Sequence, residues 1–300
     1  MGCWWHREKM HERLPLSRAL LWIFLSTLIV SGSATLGWLY YLHVIYQRVA
    51  DDDYTITTIV PTTLSKDALA TSYLAELLGL SVDIPQNLYA FDFKAARSRL
   101  LKSPLIKDVI VKRMPPSALH VDYSIRQPIA YSGDYDNTAI DEEGYPLPFR
   151  PFFSPRGLPE IYLGLPAFGT EGVNWNHPLR GDEARLALEL WRILTSDEDF
   201  MKMVIKKIDV SEAYANSYGQ REIIVIAEDL VEVNQCIIAW MLRLSTNRYL
   251  QELSNFKVLR TYQMEKQLTT DEAVVRVTMV LDLRIPQLAF VQQLSTRGER

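Results

Sequence analysis

Hydrophobic positions along the chain fall into three patterns. The first is an uninterrupted run from Ala19 to Gln47, ALLWIFLSTLIVSGSATLGWLYYLHVIYQ, in which no Asp, Glu, Lys or Arg occurs. A bilayer core needs roughly 20 apolar residues, so the run predicts a transmembrane helix over 19–46. The second pattern is alternation. Leu119, Val121, Tyr123 and Ile125 alternate with His120, Asp122, Ser124 and Arg126, the signature of a half-buried strand. Val109, Ile110 and Val111 predict its neighbour, joined to it by a turn at Met114-Pro115-Pro116-Ser117, since proline lacks the N–H that a ladder needs. The β-branched stretch Tyr54 to Val60 predicts a further strand, ended by Pro61. The third pattern is helical spacing. Tyr73, Leu74, Leu77 and Leu78 mark a helix that begins near Thr71 and stops at Gly79. A second helix, DFKAARSRLLKS, follows Asp92 as its N-cap and closes before Pro104. The order strand, helix, helix, strand, strand predicts a small sheet with two helices on one face, an α+β design.

A tight turn is expected at Asp141 to Gly144, followed by a proline-rich connection to about Pro178. A second body, mixed α/β, follows. Ala187, Leu190, Trp191 and Leu194 share one face of a helix whose first turn carries Asp182 and Glu183, favourable against the N-terminal dipole. VIKKIDV and REIIVIAE read as strands, and Thr246 to Tyr262 as a helix with Tyr249, Leu250, Leu253 and Phe256 spaced to meet a sheet. Ala273 to Arg284 reads as a long strand with Val275, Val277, Met279, Leu281 and Leu283 on one side. Pro286 cannot sit in a central ladder, so the segment after it belongs at an edge. Leu288, Ala289, Phe290 and Val291 there form an apolar patch. Either it accepts a partner strand, or Phe290 folds back into the core.

Charge orients the first helix. Arg7, Lys9, Arg13 and Arg18 precede it, whereas Arg48 and then Asp51-Asp52-Asp53 follow it. Basic residues stay on the cytoplasmic side, so residues 1–18 are expected in the cytoplasm and the bulk outside. Trp38, Tyr40, Tyr41 and Tyr46 suit an interfacial belt. The competing reading is a cleaved signal peptide with a small-residue site at Ser31 to Ala34, but the apolar run continues well past Ala34. Composition changes this picture little. A chain of 300 residues with 48% hydrophobic residues suits one or two cored domains, and a formal charge of −4 argues against nucleic acid as a partner. On this topology Cys3 and Cys236 lie on opposite sides of the membrane and cannot pair; Cys236 reads as a small buried hydrophobe.

Candidate chemistry is sparse. The five histidines have no metal-ligand spacing, His120 falls on the polar face of its strand, and no phosphate loop, dinucleotide fingerprint or nucleophile elbow occurs. Neither a catalytic set nor a cofactor or metal site is expected. Acidic clusters at 51–53, 141–143 and 197–199 read as a linker, a turn and a helix-end loop, because working carboxylates need burial and partners. Lys202, Lys206 and Lys207 read as a solvated strand edge rather than an anionic-lipid site.

One stretch brings a family into view. LYAFDFKAARSRLLKSPLIKDVIVKRMPPSALHVDYSIRQPIA resembles the bacterial division protein family FtsQ, also called DivIB: a helix, then Pro104, a strand ending at Arg113, Pro116, a strand led by Leu119, and Arg126-Gln127-Pro128-Ile129-Ala130. IDEEG at Ile140 to Gly144 and DLR at Asp282, Leu283 and Arg284 are similar to the family's hairpin and late strand. The family's Val-x-Gly-Asn is absent, Ile59-Val60-Pro61-Thr62 standing in its place, and the segment near 151–176 matches poorly.

The resemblance implies a POTRA domain over 54–131, an FtsQ-type β domain over 132–293 with a mainly antiparallel sheet, and a tail over 294–300. It implies a bitopic scaffold at the septum of the bacterial inner membrane, held in the bilayer through residues 19–46. Its partners would be bitopic coiled-coil division proteins of the FtsB/DivIC and FtsL type. Partner contacts are expected at Arg284, Leu288, Phe290 and Val291, with Tyr249 and Arg248 on the helix. Arg113, Pro115 and Pro116 are expected either as a docking end of the first domain or as a purely structural turn. Self-association is left open. Two competing classes are a membrane-anchored extracytoplasmic cell-wall hydrolase, which needs a nucleophile–base pair, and an outer-membrane assembly factor, which needs a β-barrel downstream. The charge asymmetry generates a direct test. A reporter active only in the cytoplasm, fused after Arg300, should stay silent in cells, and an active fusion would reverse the assigned orientation.

Overall fold

The computed structural model describes residues 16–165, 175–231, 236–268 and 276–295. The apolar run forms helix α1 (Leu16–Ala50), of which Leu20–Ala50 is long and apolar enough to cross a membrane. None of that span is buried against protein, and Leu21, Phe24 and Tyr40 are among its exposed side chains. A helix apolar all round wants hydrocarbon around it.

The described residues divide into two compact units. One takes the chain up to Val60 with Leu80–Asp92 and Lys112–His120; the other takes Pro61–Gly79, Phe93–Val111 and Val121 onward. Beyond α1 the elements are β1 (Thr58–Thr62), α2 (Thr71–Leu78), α3 (Phe93–Leu100), β2 (Ile106–Met114) and β3 (Ala118–Ile125). The three strands form a sheet in the order β1-β3-β2. This is the strand-helix-helix-strand-strand order expected. Gly79 ends α2 in the left-handed conformation at φ 70°, and its N–H bonds the Ala75 and Glu76 carbonyls, a geometry glycine adopts without steric cost. Leu74 and Leu78 of α2 and Ala96 and Leu100 of α3 are buried, as are Val109, Val121 and Tyr123.

The first strand departs from expectation. Tyr54 lies in a short 3-10 turn, Asp52–Tyr54, capped by the Asp51 carboxylate on the Asp53 N–H, so the strand starts only at Thr58. It also runs through Pro61 to Thr62. Pro61 does not end it because β1 is an edge strand, where a missing donor on the solvent side costs nothing.

The second sheet has nine strands in the order β12-β11-β10-β9-β8-β7-β4-β5-β6. They are β4 (Pro128–Ser132), β5 (Thr138–Asp141), β6 (Pro146–Pro148), β7 (Glu160–Tyr162), β8 (Val204–Asp209), β9 (Ile223–Val231), β10 (Cys236–Leu244), β11 (Arg276–Asp282) and β12 (Phe290–Ser295). Most pairs are antiparallel; β10 with β11, β4 with β7 and β7 with β8 are parallel. The overall class is α+β, with an apolar N-terminal helix. Residues 166–174, within the proline-rich connection, and Val275 lie outside the described residues. The rest of that connection is not structureless, since it carries β6 and β7. Pattern reading misses such three-residue strands because they are too short to alternate. It also misses β10, where Ile238, Ala239, Trp240 and Leu242 are all buried and the apolar run has no period to read.

Helices α4 (Asp182–Ser196) and α5 (Tyr249–Leu268) supply the other layer of the core. Leu186, Ala187, Leu190 and Leu194 of α4 and Leu253 and Phe256 of α5 join Ile208, Val225, Trp240, Val277, Met279 and Leu281 of the strands. Phe256 meets Trp240 edge-on, with ring centroids 5.5 Å apart. Leu250, expected to face the sheet, is instead 54% exposed. Near the helix start the register is set by Glu252, which is buried and accepts from the Ser245 N–H at 2.6 Å.

An ion pair stands against this core. Ile223, Val225, Ala227, Asp229 and Val231 are the buried positions of β9. The Asp229 carboxylate accepts from Trp240 Nε1 at 2.7 Å and from Arg260 Nε and Nη2 at 2.7 and 2.6 Å. Arg260 also donates to the Asp199 carbonyl at 2.9 Å. Both side chains of the ion pair are nearly out of solvent. Removing one partner of a buried pair costs about 3–5 kcal/mol, because the other charge is stranded. Arg260→Ala should therefore lower unfolding stability by about that amount in detergent micelles. The double change Asp229→Leu with Arg260→Leu should restore most of it, and a loss below about 1 kcal/mol for Arg260→Ala would contradict the bridging role.

Candidate partner-binding site

Strand β12 closes one end of the large sheet. It pairs antiparallel with β11, with Val291 opposite Leu281, Gln293 opposite Met279 and Phe290 opposite Asp282. Directly opposed residues share a face, so Val291 and Gln293 lie on the core side and Phe290 and Leu294 on the other. Yet Phe290 is 57%, Val291 42% and Leu294 48% exposed, with Gln292 and Gln293 exposed too. The core layer ends at β11, and no described strand pairs with β12 on its outer side. Phe290 does not fold back into the core. Pro286 stands in the loop before β12, where a missing N–H breaks no ladder.

Beside Phe290 runs an open groove of about 600 Å³. Tyr214, Tyr218 and Arg221 form one wall, and Ser245 to Asn247 with Asp282, Arg284 and Ile285 form the rest. The wall is stiffened locally. Arg221 donates to the Ala215 carbonyl at 2.7 Å and lies 4.2 Å from the Tyr218 ring centroid, and the Thr246 hydroxyl donates to the Ala213 carbonyl at 2.7 Å.

Arg284 belongs to this wall, but its guanidinium is already engaged. It bonds Asp282 at 2.7 Å and faces Glu222 at 3.4 Å, while Arg243 reaches Glu222 at 2.5 Å and Asp282 at 3.4 Å. The four residues alternate in sign across the start of β9, β10 and the end of β11, and Asp282 and Arg284 of the set line the groove. The Arg284 hydrogen bond holds the Asp282 carboxyl below its usual range against the opposing effect of burial. Arg248 donates to the Arg284 carbonyl at 2.9 Å and pairs loosely with Glu252, so it pins the loop rather than lining the groove. Tyr249 points elsewhere, donating to Glu189 of α4 at 2.8 Å. Burial, then the Glu189 carboxylate, push its phenol up to about 12, so it remains a donor at neutral pH. Leu288 is 58% exposed in the turn before β12, where its N–H bonds the Ile285 carbonyl.

The structure thus gathers Arg284, Leu288, Phe290 and Val291 at one edge, and assigns Arg248 and Tyr249 to holding α5. Sequence reading missed Tyr218, Arg221, Glu222 and Leu294, which come from loops and a strand end without periodic signal. Arg113, Pro115 and Pro116 form a separate cluster in the other unit. Both prolines are exposed, and the Arg113 guanidinium stacks 4.8 Å from the Tyr89 ring centroid.

The acidic clusters are engaged structurally. Asp141 accepts from the Glu143 and Tyr145 N–H groups and from Arg126 at 2.6 Å. Glu143 is held below the usual carboxylate range, first by Lys107 and then by Arg126. Lys257 bridges Asp197 and Asp199. Lys206 pairs with Glu228 and Lys207 with Asp209. No group of three metal-ligating side chains occurs among the described residues.

The charge alternation predicts a pH response. A carboxyl whose folded value lies below its ordinary 3.8 stabilises the fold above that value, and the contribution is lost as pH falls through the lower folded value. Asp282→Asn should therefore melt below the parent chain at neutral pH, and the gap should close on acidification below the ordinary carboxylate range. A gap unchanged across that window would exclude the ion pair as its source.

Residues 67–122 match the family description POTRA domain, FtsQ-type. No curated protein matches the chain. The matched segment spans α2, α3, β2 and most of β3, and so includes the helix, Pro104, Arg113, Pro116 and Leu119 that carried part of the resemblance. The chain therefore carries an FtsQ-type POTRA domain behind its apolar N-terminal helix, and its likeness to the FtsQ/DivIB family is borne out there.

Proposed function

We propose that the chain is a bitopic scaffold of the bacterial division machinery, anchored by α1 in the cytoplasmic membrane with its bulk outside, and that β12 is where it takes hold of a partner. The FtsQ-type POTRA domain supports the division role. The observation that carries the binding site is β12 itself: an edge strand with Phe290, Val291 and Leu294 exposed, next to an aromatic-walled groove. An extended partner segment adds backbone hydrogen bonds along such an edge and places alternate side chains in flanking pockets. Phe290 and Tyr218 supply apolar anchors, the residue types that dominate interface energetics. The charge chain of Glu222, Arg243, Asp282 and Arg284 keeps the groove mouth rigid and near neutral. The resemblance supplies the class of partner, bitopic coiled-coil division proteins of the FtsB/DivIC and FtsL type at the septum. A scaffold of this kind needs no catalytic group.

Phe290→Glu tests the site. In the full chain in detergent it should weaken capture of such partners at least about tenfold, a loss of about 1.4 kcal/mol. The melting temperature should stay within error of the parent, since the side chain adds little to the core. Undiminished capture would remove β12 as the binding edge.

A further inference from the structure

We infer that the turn between β2 and β3 is a second membrane contact, docking on the anionic lipid surface from which α1 emerges. The inference rests on reading α1 as bilayer-spanning. The charge-free run from Ala19 to Gln47 is roughly 43 Å long at about 1.5 Å per residue, and a bilayer with its headgroups is about 40–45 Å thick. Arg18 and Arg48, the first charges at either end, therefore stand at the two headgroup layers.

Arg48 then bounds the distance of the turn from its headgroup layer. Its guanidinium donates to the Tyr89 hydroxyl at 3.1 Å and lies 5.1 Å from the ring centroid. Arg113 lies 4.8 Å from the same centroid. The two guanidiniums are separated by at most the sum of those distances, about 10 Å. Tyr89 is itself tied down. Asn87 donates to the Arg48 and Asp51 carbonyls at 2.9 and 3.1 Å and accepts from the Tyr89 N–H at 2.8 Å. Tyr54 meets the Tyr89 ring edge-on at 5.0 Å. The far side of the turn is held as well, the Thr57 N–H bonding the Ser117 carbonyl at 2.9 Å.

What the turn presents next to Arg113 is Lys112, Met114, Pro115 and Pro116, all exposed like Arg113 itself, with Met114 48% accessible. Two basic residues followed by an apolar tip is the composition of an interfacial contact: the tip enters the headgroup boundary and the cations meet lipid phosphates. Each basic residue near an anionic surface strengthens attachment about fivefold. Asp51, Asp52 and Asp53 are also exposed nearby and act in the opposite sense, Asp51 keeping its charge while its carboxylate accepts from the Asp53 N–H. Attachment is thus carried by the turn and not by a general positive field.

The test uses the full chain with Cys3→Ser, Cys236 being buried, and Met114→Cys carrying an environment-sensitive fluorophore. It is reconstituted in vesicles of phosphatidylglycerol and phosphatidylcholine doped with a nitroxide-headgroup lipid. The Met114 probe should be quenched at least twofold more than in vesicles of phosphatidylcholine alone. The excess should disappear with Lys112→Glu and Arg113→Glu together, and shrink as salt is raised. Absent quenching, or equal quenching in both vesicles, overturns the proposal while leaving the anchor standing. A chain that fails to float with the vesicles overturns the anchor and this contact together.

Discussion

Asp229 occupies a position in β9 where alternation calls for hydrocarbon, and much of the large unit is arranged around keeping it paired. Its carboxylate draws the Trp240 indole N–H from the neighbouring strand and the Arg260 guanidinium from α5. These directional bonds set where α5 can lie along the sheet, which packing of Leu253 and Phe256 alone leaves freer to slide. With α5 in register, Glu252 meets Ser245 at the end of β10, and Arg248 meets the Arg284 carbonyl just past β11. The groove beside β12 is built from those same chain segments. A pair of this kind adds little net stability over a well-packed apolar substitute; its contribution here is to choose one arrangement of helix on sheet.

The groove is a product of element ends. Its walls come from the loop before β9, the β10–α5 junction and the turn after β11. Loops mounted on a rigid frame are where binding surfaces concentrate. The alternating charges of Glu222, Arg243, Asp282 and Arg284 tie the start of β9, β10 and the end of β11 together beside the groove, so the strand that leads into the β12 turn is braced. Preformed geometry of this sort limits the ordering cost of association.

Much of this was legible from the residues. The apolar run, the order of the small sheet, the Gly79 stop, the Asp141 turn and the edge location of the segment after Pro286 each follow from a local rule with a strong signal. The POTRA resemblance was legible for the same reason, because its residues lie in well-patterned elements. What escaped detection lacked a period. Strand β10 is apolar at every position but Arg243 and so shows no alternation in sequence; β6 and β7 have three residues each; Leu250 is turned outward by a register that Glu252 and Arg260 fix through their partners. Of the candidate site, the exposed edge could be read from Pro286 and the apolar residues after it. The engagement of Arg284 with Asp282 and Glu222 could not, since Glu222 is 62 residues away in sequence and only the sheet brings it there.

The strand at the opposite end of the large sheet bears on how the molecule can assemble. On either side of β6 the Phe149 N–H bonds the Asn137 carbonyl, and the Tyr145 carbonyl accepts from the Asp141 N–H. Odd-numbered residues thus face β5 and even-numbered ones face outward. The outward positions are Pro146 and Pro148, so that margin offers no amide donors. An open-ended filament needs every copy to expose two complementary margins, each seating on the next. Among the described residues this sheet has one margin left unpaired, at β12, and one without outward amide donors, at β6, so strand addition from one to the other has no second seat. On the proposed reading, strand addition at β12 ends after a single event, with one foreign segment or a second copy across a two-fold axis, and leaves no nucleus for fibres.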